Sequence, residues 1–74
     1  MGYEDLAIDP QRSRLYTSST NINAVFIFDL NGTRLGTLTP KAPDKLEGPS
    51  ALALFGRKLY VLNMTANRVS VIDL

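Results

Sequence analysis

The chain has 74 residues, and among them there is no cysteine and no histidine. Without cysteine neither a disulfide framework nor a thiolate zinc site can form, and redox compartment cannot be read from the chain. Without histidine the commonest general base and the commonest transition-metal ligand are missing together. Charge of one sign is not in excess either: eight Lys and Arg against seven Asp and Glu leave a net charge of +1. That balance offers no electrostatic basis for binding nucleic acid, an anionic membrane or a strongly charged substrate. Long apolar runs are lacking; stretches such as Ala51 to Phe55 fall far short of the ~20 residues that a spanning helix needs, so no membrane insertion is expected. The start, Met1-Gly2-Tyr3-Glu4-Asp5, has no basic segment followed by an apolar one, so no signal peptide is read there, and the leader of an exported parent would lie outside this sequence.

The chemistry-bearing residues that remain do not assemble a reaction centre. Ser13, Ser18, Ser19, Ser50 and Ser70 have no histidine to activate them, and none sits in a Gly-x-Ser-x-Gly turn. No glycine-rich phosphate loop is present. No catalytic, cofactor-binding or metal-ligating set is therefore expected within the chain.

What the chain does contain is a repeat. Leu15-Tyr16-Thr17, a polar gap and Val25-Phe26-Ile27-Phe28-Asp29-Leu30 return as Leu59-Tyr60-Val61, a polar gap and Val69-Ser70-Val71-Ile72-Asp73-Leu74. Tyr16 to Tyr60, Val25 to Val69 and Asp29 to Asp73 are each 44 positions apart, so the match crosses a loop without an insertion. A fixed period of this size marks a repeat architecture.

Short β-rich runs between turn residues fill both repeats, and no segment has a helical period. Four strands are expected in the first repeat, over 5–9, 14–18, 24–30 and 33–38. Three are expected in the second, over 50–55, 58–62 and 68–73. Asn31-Gly32 predicts a two-residue type I′ hairpin, because Asn-Gly best tolerates positive φ at both central positions. The connection between first and second strands is two residues longer in the first repeat, since Leu6 to Leu52 is 46 while Tyr16 to Tyr60 is 44. The proline- and charge-rich stretch after residue 38 reads as a link. This divides the chain into a first unit (1–38), a linker (39–48) and a second, incomplete unit (49–74).

The face pattern sets the architecture expected. Val25 to Phe28 and Leu59 to Leu62 are apolar on both alternating faces, which a sheet with one wet face would not permit. Each sheet should be covered on both sides, as propeller blades cover one another around an axis. The first strands, Leu6-Ala7-Ile8 and Ala51-Leu52-Ala53-Leu54, alternate small with large residues, as strands crowded near an axis would. The stretch 33–38 is the most polar and suits an outer edge. The fold class expected is all-β: a four-stranded antiparallel blade and three strands of a second, a partial propeller.

Gly48-Pro49-Ser50-Ala51-Leu52-Ala53-Leu54, Leu59-Tyr60-Val61-Leu62-Asn63 and Asn67-Arg68-Val69-Ser70-Val71-Ile72-Asp73 resemble a repeat of the Tyr-Val-Thr-Asn (YVTN) β-propeller family. The resemblance covers about 26 residues closely, with Leu62 in place of the motif's threonine. The first repeat is looser: Tyr16 and Asp29 are kept, and Ser19 stands where Asn63 would be. Such repeats are similar to those of surface-layer proteins, lactonase-like hydrolases and the propellers of periplasmic redox enzymes. The resemblance therefore implies an extracytoplasmic setting. Three functions follow as expectations: a scaffold or interaction module, a lactonase-like hydrolase, or a redox-enzyme propeller, the last two with catalytic residues outside this chain. The expected partners are further propeller blades, in a longer chain or in a homo-oligomeric ring, because two blades leave open faces on both sides.

Four residues are candidates for a channel mouth or ligand site. Asp29 and Asp73 end a third strand at the same repeat position and could pair as carboxylates or hold calcium, or each could cap a turn. Asn63 and its counterpart Ser19 could bind a cation or substrate where a loop opens, or satisfy loop backbone. Tyr16 and Tyr60 could present hydroxyls to a ligand or serve as core residues with the hydroxyl at the rim.

Overall fold

In a computed structural model, residues 2–74 are described; Met1, the first residue of the expected first unit and of the N-terminal stretch read for a leader, lies outside them. Seven strands follow in order: β1 (Asp5–Asp9), β2 (Arg14–Ser19), β3 (Ala24–Asp29), β4 (Arg34–Leu38), β5 (Pro49–Phe55), β6 (Lys58–Asn63) and β7 (Arg68–Asp73). No helix is present among the described residues. The strands form two antiparallel sheets, β1-β2-β3-β4 and β5-β6-β7, in which neighbours in sequence are neighbours in space. The expected strands are all there, their ends shifted by at most one residue.

The turns explain this order. The connections after β1, β2 and β6 are four residues long and each closes on a left-handed residue, Ser13 (φ 55°), Asn23 (φ 53°) and Asn67 (φ 54°). Asparagine tolerates that conformation better than most side chains. Asn23 and Asn67 are themselves 44 apart, so the turn chemistry repeats with the strands. Between β5 and β6 the loop shrinks to Gly56-Arg57, with Gly56 at φ 60°. That shortening accounts for the two-residue difference in spacing.

One turn differs from expectation. Asn31-Gly32 does not form a two-residue type I′ hairpin: among these residues only Gly32 has positive φ (89°), and Leu30-Asn31-Gly32 make a three-residue loop. The Gly32 amide donates to the Asp29 carbonyl at 3.1 Å and the Asp29 amide to the Thr33 carbonyl at 2.9 Å. A register shift beside Ile27 and Phe28 absorbs the extra residue. Asp29 is the physical reason: its Oδ1 accepts from the amides of Asn31 and Thr33, both at 2.9 Å, which favours the wider loop.

The two sheets pack face against face, with β5 against β1 and β2. The core between them takes Tyr16, Val25, Ala7, Ile27 and Leu38 from the first sheet and Leu59, Val61, Ile72, Leu52 and Leu54 from the second, with Leu46 and Leu74 closing the edges. These two sets occupy non-equivalent repeat positions. Tyr16, Val25 and Ile27 correspond to Tyr60, Val69 and Val71, which lie on the far side of the second sheet, and Val69 and Val71 there are exposed. Leu59 and Ile72 correspond to Leu15 and Phe28 on the far side of the first. The sheets are therefore stacked head to tail, the front of one on the back of the next. A two-fold sandwich would have brought equivalent faces together.

The stacking leaves an apolar face open at each end. Leu6 and Ile8 are exposed behind the first sheet, and Leu62, Val69 and Val71 in front of the second. Of the two-sided apolar strands, β3 is covered on both faces, with Val25 and Phe26 buried, while β6 leaves Leu62 exposed. β4, with Arg34, Leu35 and Thr37 exposed, forms the outer edge of its sheet, and β7 ends the second sheet without a strand beside it.

Candidate functional site

The four candidate residues fall at opposite ends of the sheets. Ser19 and Asn63 close β2 and β6 at one end, and Asp29 and Asp73 close β3 and β7 at the other. The antiparallel order of the strands forces this separation.

At the first end Asn63 is fully buried and committed to the chain's own connection. Its Oδ1 accepts from the Glu47 amide at 2.8 Å, and its Nδ2 donates to Ser70 Oγ at 2.8 Å. Ser70 in turn donates to the Lys45 carbonyl and to Asp44, both at 3.0 Å. Arg68 donates to Asp44, to the Lys45 carbonyl and to Glu47. The same contact holds Asp44 below its ordinary pKa, chiefly through the Arg68 hydrogen bond, and raises Arg68 in return. From the first sheet, Asn23 Oδ1 accepts from the Gly48 amide at 2.8 Å and Thr20 donates to the Pro49 carbonyl at 3.1 Å. Gly48 has φ 72°, and a Cβ there would lie 2.9 Å from the Thr65 backbone nitrogen and closer still to its hydroxyl. Only glycine fits. The polar groups of this end thus fasten 44–49 between the sheets.

Ser19, nearly buried, lines a different space: a cavity of about 340 Å³ bounded also by Tyr3, Asn21, Ile22, Phe26 and Arg34. Tyr3 packs edge-on against Phe26 and Phe28, with centroids 5.8 and 6.0 Å apart, and the Arg34 guanidinium lies 4.0 Å from the Phe26 ring centre. The N-terminal residues here cover the Phe26 and Phe28 part of the back of the first sheet and leave Leu6 and Ile8 exposed.

At the other end Asp29 caps its hairpin loop, and Asp73 pairs with Lys58 at 2.6 Å on the surface. That pair lowers the Asp73 pKa, mainly through the hydrogen bond, and raises that of Lys58. No group of three or more His, Cys, Asp or Glu that could hold a metal ion occurs among the described residues.

A cluster that the sequence did not single out lies beside them. Asp9 is 1% exposed, and its carboxylate accepts from the Arg12 guanidinium at 2.7 Å, the Arg12 amide at 3.2 Å and the Tyr16 hydroxyl at 3.3 Å. Arg12 also donates to the Gly56 carbonyl of the other sheet at 3.3 Å. Burial acts to raise the Asp9 pKa, but the Arg12 and Tyr16 hydrogen bonds outweigh it and hold the carboxyl below its ordinary value. Burial, then the nearby Asp9 charge, push the Tyr16 hydroxyl up. Next to this cluster a cavity of about 330 Å³ opens between the sheets, lined by Arg12, Arg14, Tyr16, Ile27, Leu38, Asp73 and Leu74. An Asp bonded by an arginine three residues on and a tyrosine seven residues on could have been noticed in the sequence, and it has no counterpart in the second repeat, where Phe55 stands for Asp9. Its chemistry is that of a clamp: three donors engage the carboxylate and favour its ionised form, which makes it a weak base.

No protein-family model, curated protein or solved structure matches the chain.

Proposed function

We propose that this chain is a pair of successive β-propeller-type units, similar to YVTN repeats, that serves as a scaffold and interacts through its sheet faces. The observation that carries the reading is the head-to-tail stacking of the two sheets. Rotationally repeated units present the same face in the same direction, so each one's front meets the next one's back, and stability is a sum of units and neighbour interfaces. The open apolar face at each end is what such a stack requires where a further unit would sit, and closed propellers hold about four to eight of them. The polar groups at both strand ends fasten turns and linker, which supports a scaffold over a reaction centre. A lactonase-like or redox reading would place its catalytic groups outside these residues.

The test is a chain lengthened by its own repeat. Asp73-Leu74 corresponds to Asp29-Leu30, so residues 31–74 appended after Leu74 continue the sequence in register. The added stretch supplies a fourth strand beside β7 and a third sheet in front of the second. The expected result is a melting temperature higher by at least about 5 °C, the shift that ~1 kcal/mol gives a domain of this size. An unchanged or lower melting temperature would overturn the reading.

A further inference from the structure

We infer that the open front of the second sheet binds the open back of the first sheet in another copy of this chain, so that copies associate head to tail. The inference rests on the stacking read above and names the partner. The internal interface supplies the pattern: the front of a first repeat, with Tyr16 and Val25, accepts the back of a second, with Leu54, Leu59 and Ile72. The front of the second sheet presents Tyr60 and Val69 at the corresponding positions, and Val69 is 54% exposed where its counterpart Val25 is fully buried. The back of the first sheet presents Ile8, Leu15 and Phe28 where the core has Leu54, Leu59 and Ile72. Both halves of an interface already formed inside the molecule are thus offered a second time, on opposite ends of it.

The remaining parts of that back face fit as well. Phe26 stands where Ser70 stands in the second sheet, and each is covered by the segment that precedes its own sheet, Tyr3 over Phe26 and 44–45 against Ser70. Tyr3 reaches Phe28 as well, so the area left open on this back face is centred on Leu6 and Ile8, beside Leu15. The front of the second sheet is more apolar than that of the first, because exposed Phe55 replaces the Asp9 clamp. A front that fits a back, and not another front, gives a heterologous contact, which propagates until a ring closes or a filament grows.

Light scattering on size-fractionated protein tests this with two variants that each spoil one face, Val69→Asp on the front and Ile8→Asp on the back. Both positions are exposed in the single copy, so each variant should keep the wild-type far-ultraviolet circular dichroism; Leu62→Asp and Leu6→Asp form a second pair on the same faces should either fail to fold. Wild-type protein is expected as a multiple of the 8.1 kDa chain, and each variant alone as a monomer. An equimolar mixture of the two should give a species of twice the chain mass, since one intact front then meets one intact back. A wild-type monomer at high micromolar concentration, a variant that still dimerises alone, or a mixture that stays monomeric would each overturn the inference. None of these outcomes touches the lengthened chain, whose stabilisation reports the stacking itself within one molecule.

Discussion

Tyr16 and Tyr60 hold the same position in successive repeats and face the same way along the stack, yet Tyr16 is 2% exposed in the core while Tyr60 lies half-buried on an open face. The difference comes from what stands in front of each. The second sheet covers Tyr16, and its hydroxyl donates to the buried Asp9 carboxylate at 3.3 Å. Among the described residues, the open space in front of Tyr60 is bordered by the neighbouring apolar surface of Ala51, Leu62 and Val69.

This relationship makes the two tyrosines unequal in energy. Tyr16→Ala should destabilise the chain by about 3 kcal/mol or more, the usual cost of deleting a buried aromatic side chain. Tyr60→Ala should cost about 1 kcal/mol in dilute solution. Urea denaturation of both variants at low protein concentration reads the difference; equal losses would mean that the two faces are equally covered.

Asn63 should behave as the fastener of the linker. Asn63→Ala removes the partner of the half-buried Glu47 amide and one of the partners of buried Ser70, a loss of about 2 kcal/mol. Ser70→Ala breaks the same network from the other side, so the double variant should be less destabilised than the sum of the singles, with a coupling of at least ~0.5 kcal/mol. A denaturation cycle measures this, and strict additivity would show that the two side chains act separately. Amide exchange at Glu47 should speed up in Asn63→Ala.

The Asp9 clamp predicts how stability depends on pH. Its carboxyl pKa is lower in the folded chain than the ordinary 3.8, so its contribution is present above that value and lost as pH falls through the folded value. Asp9→Asn should therefore be less stable than wild type at neutral pH and lose less on acidification. Part of the acid loss should persist, because Asp44 and Asp73 are lowered too. Tyr16 works in the opposite window: its pKa is raised above 10.0, so its contribution is full below that value and lost as pH rises through the folded one. Melting temperatures across pH for wild type, Asp9→Asn and Tyr16→Phe check both signs; an Asp9→Asn profile parallel to wild type in acid would contradict the clamp.

Much of the fold was legible because strand formation is local. Alternating side chains, β-branched runs and turn residues place seven strands to within a residue, and the 44-residue period pairs β2 with β6 and β3 with β7. The Asn31-Gly32 turn departs from the expected hairpin for a reason that is local too. The dipeptide favours a two-residue loop by backbone preference, but Asp29, two residues before it, offers a carboxylate to two loop amides and draws the loop wider. Asn63 was visible as a polar residue at a strand end. Its bond to an amide sixteen residues earlier was not, because that contact exists only after 44–49 has folded back between the sheets.

That this protein is all-β, that it is built of two like units and where its turns fall all follow from side-chain periodicity and backbone preference over a few residues. Which face of each sheet is covered depends on long-range packing instead. Both faces of β3 and β6 are apolar, so their composition cannot say which one meets the neighbouring sheet. The choice is made by the stacking of one unit on the next, which buries Tyr16 and leaves the face around Tyr60 open.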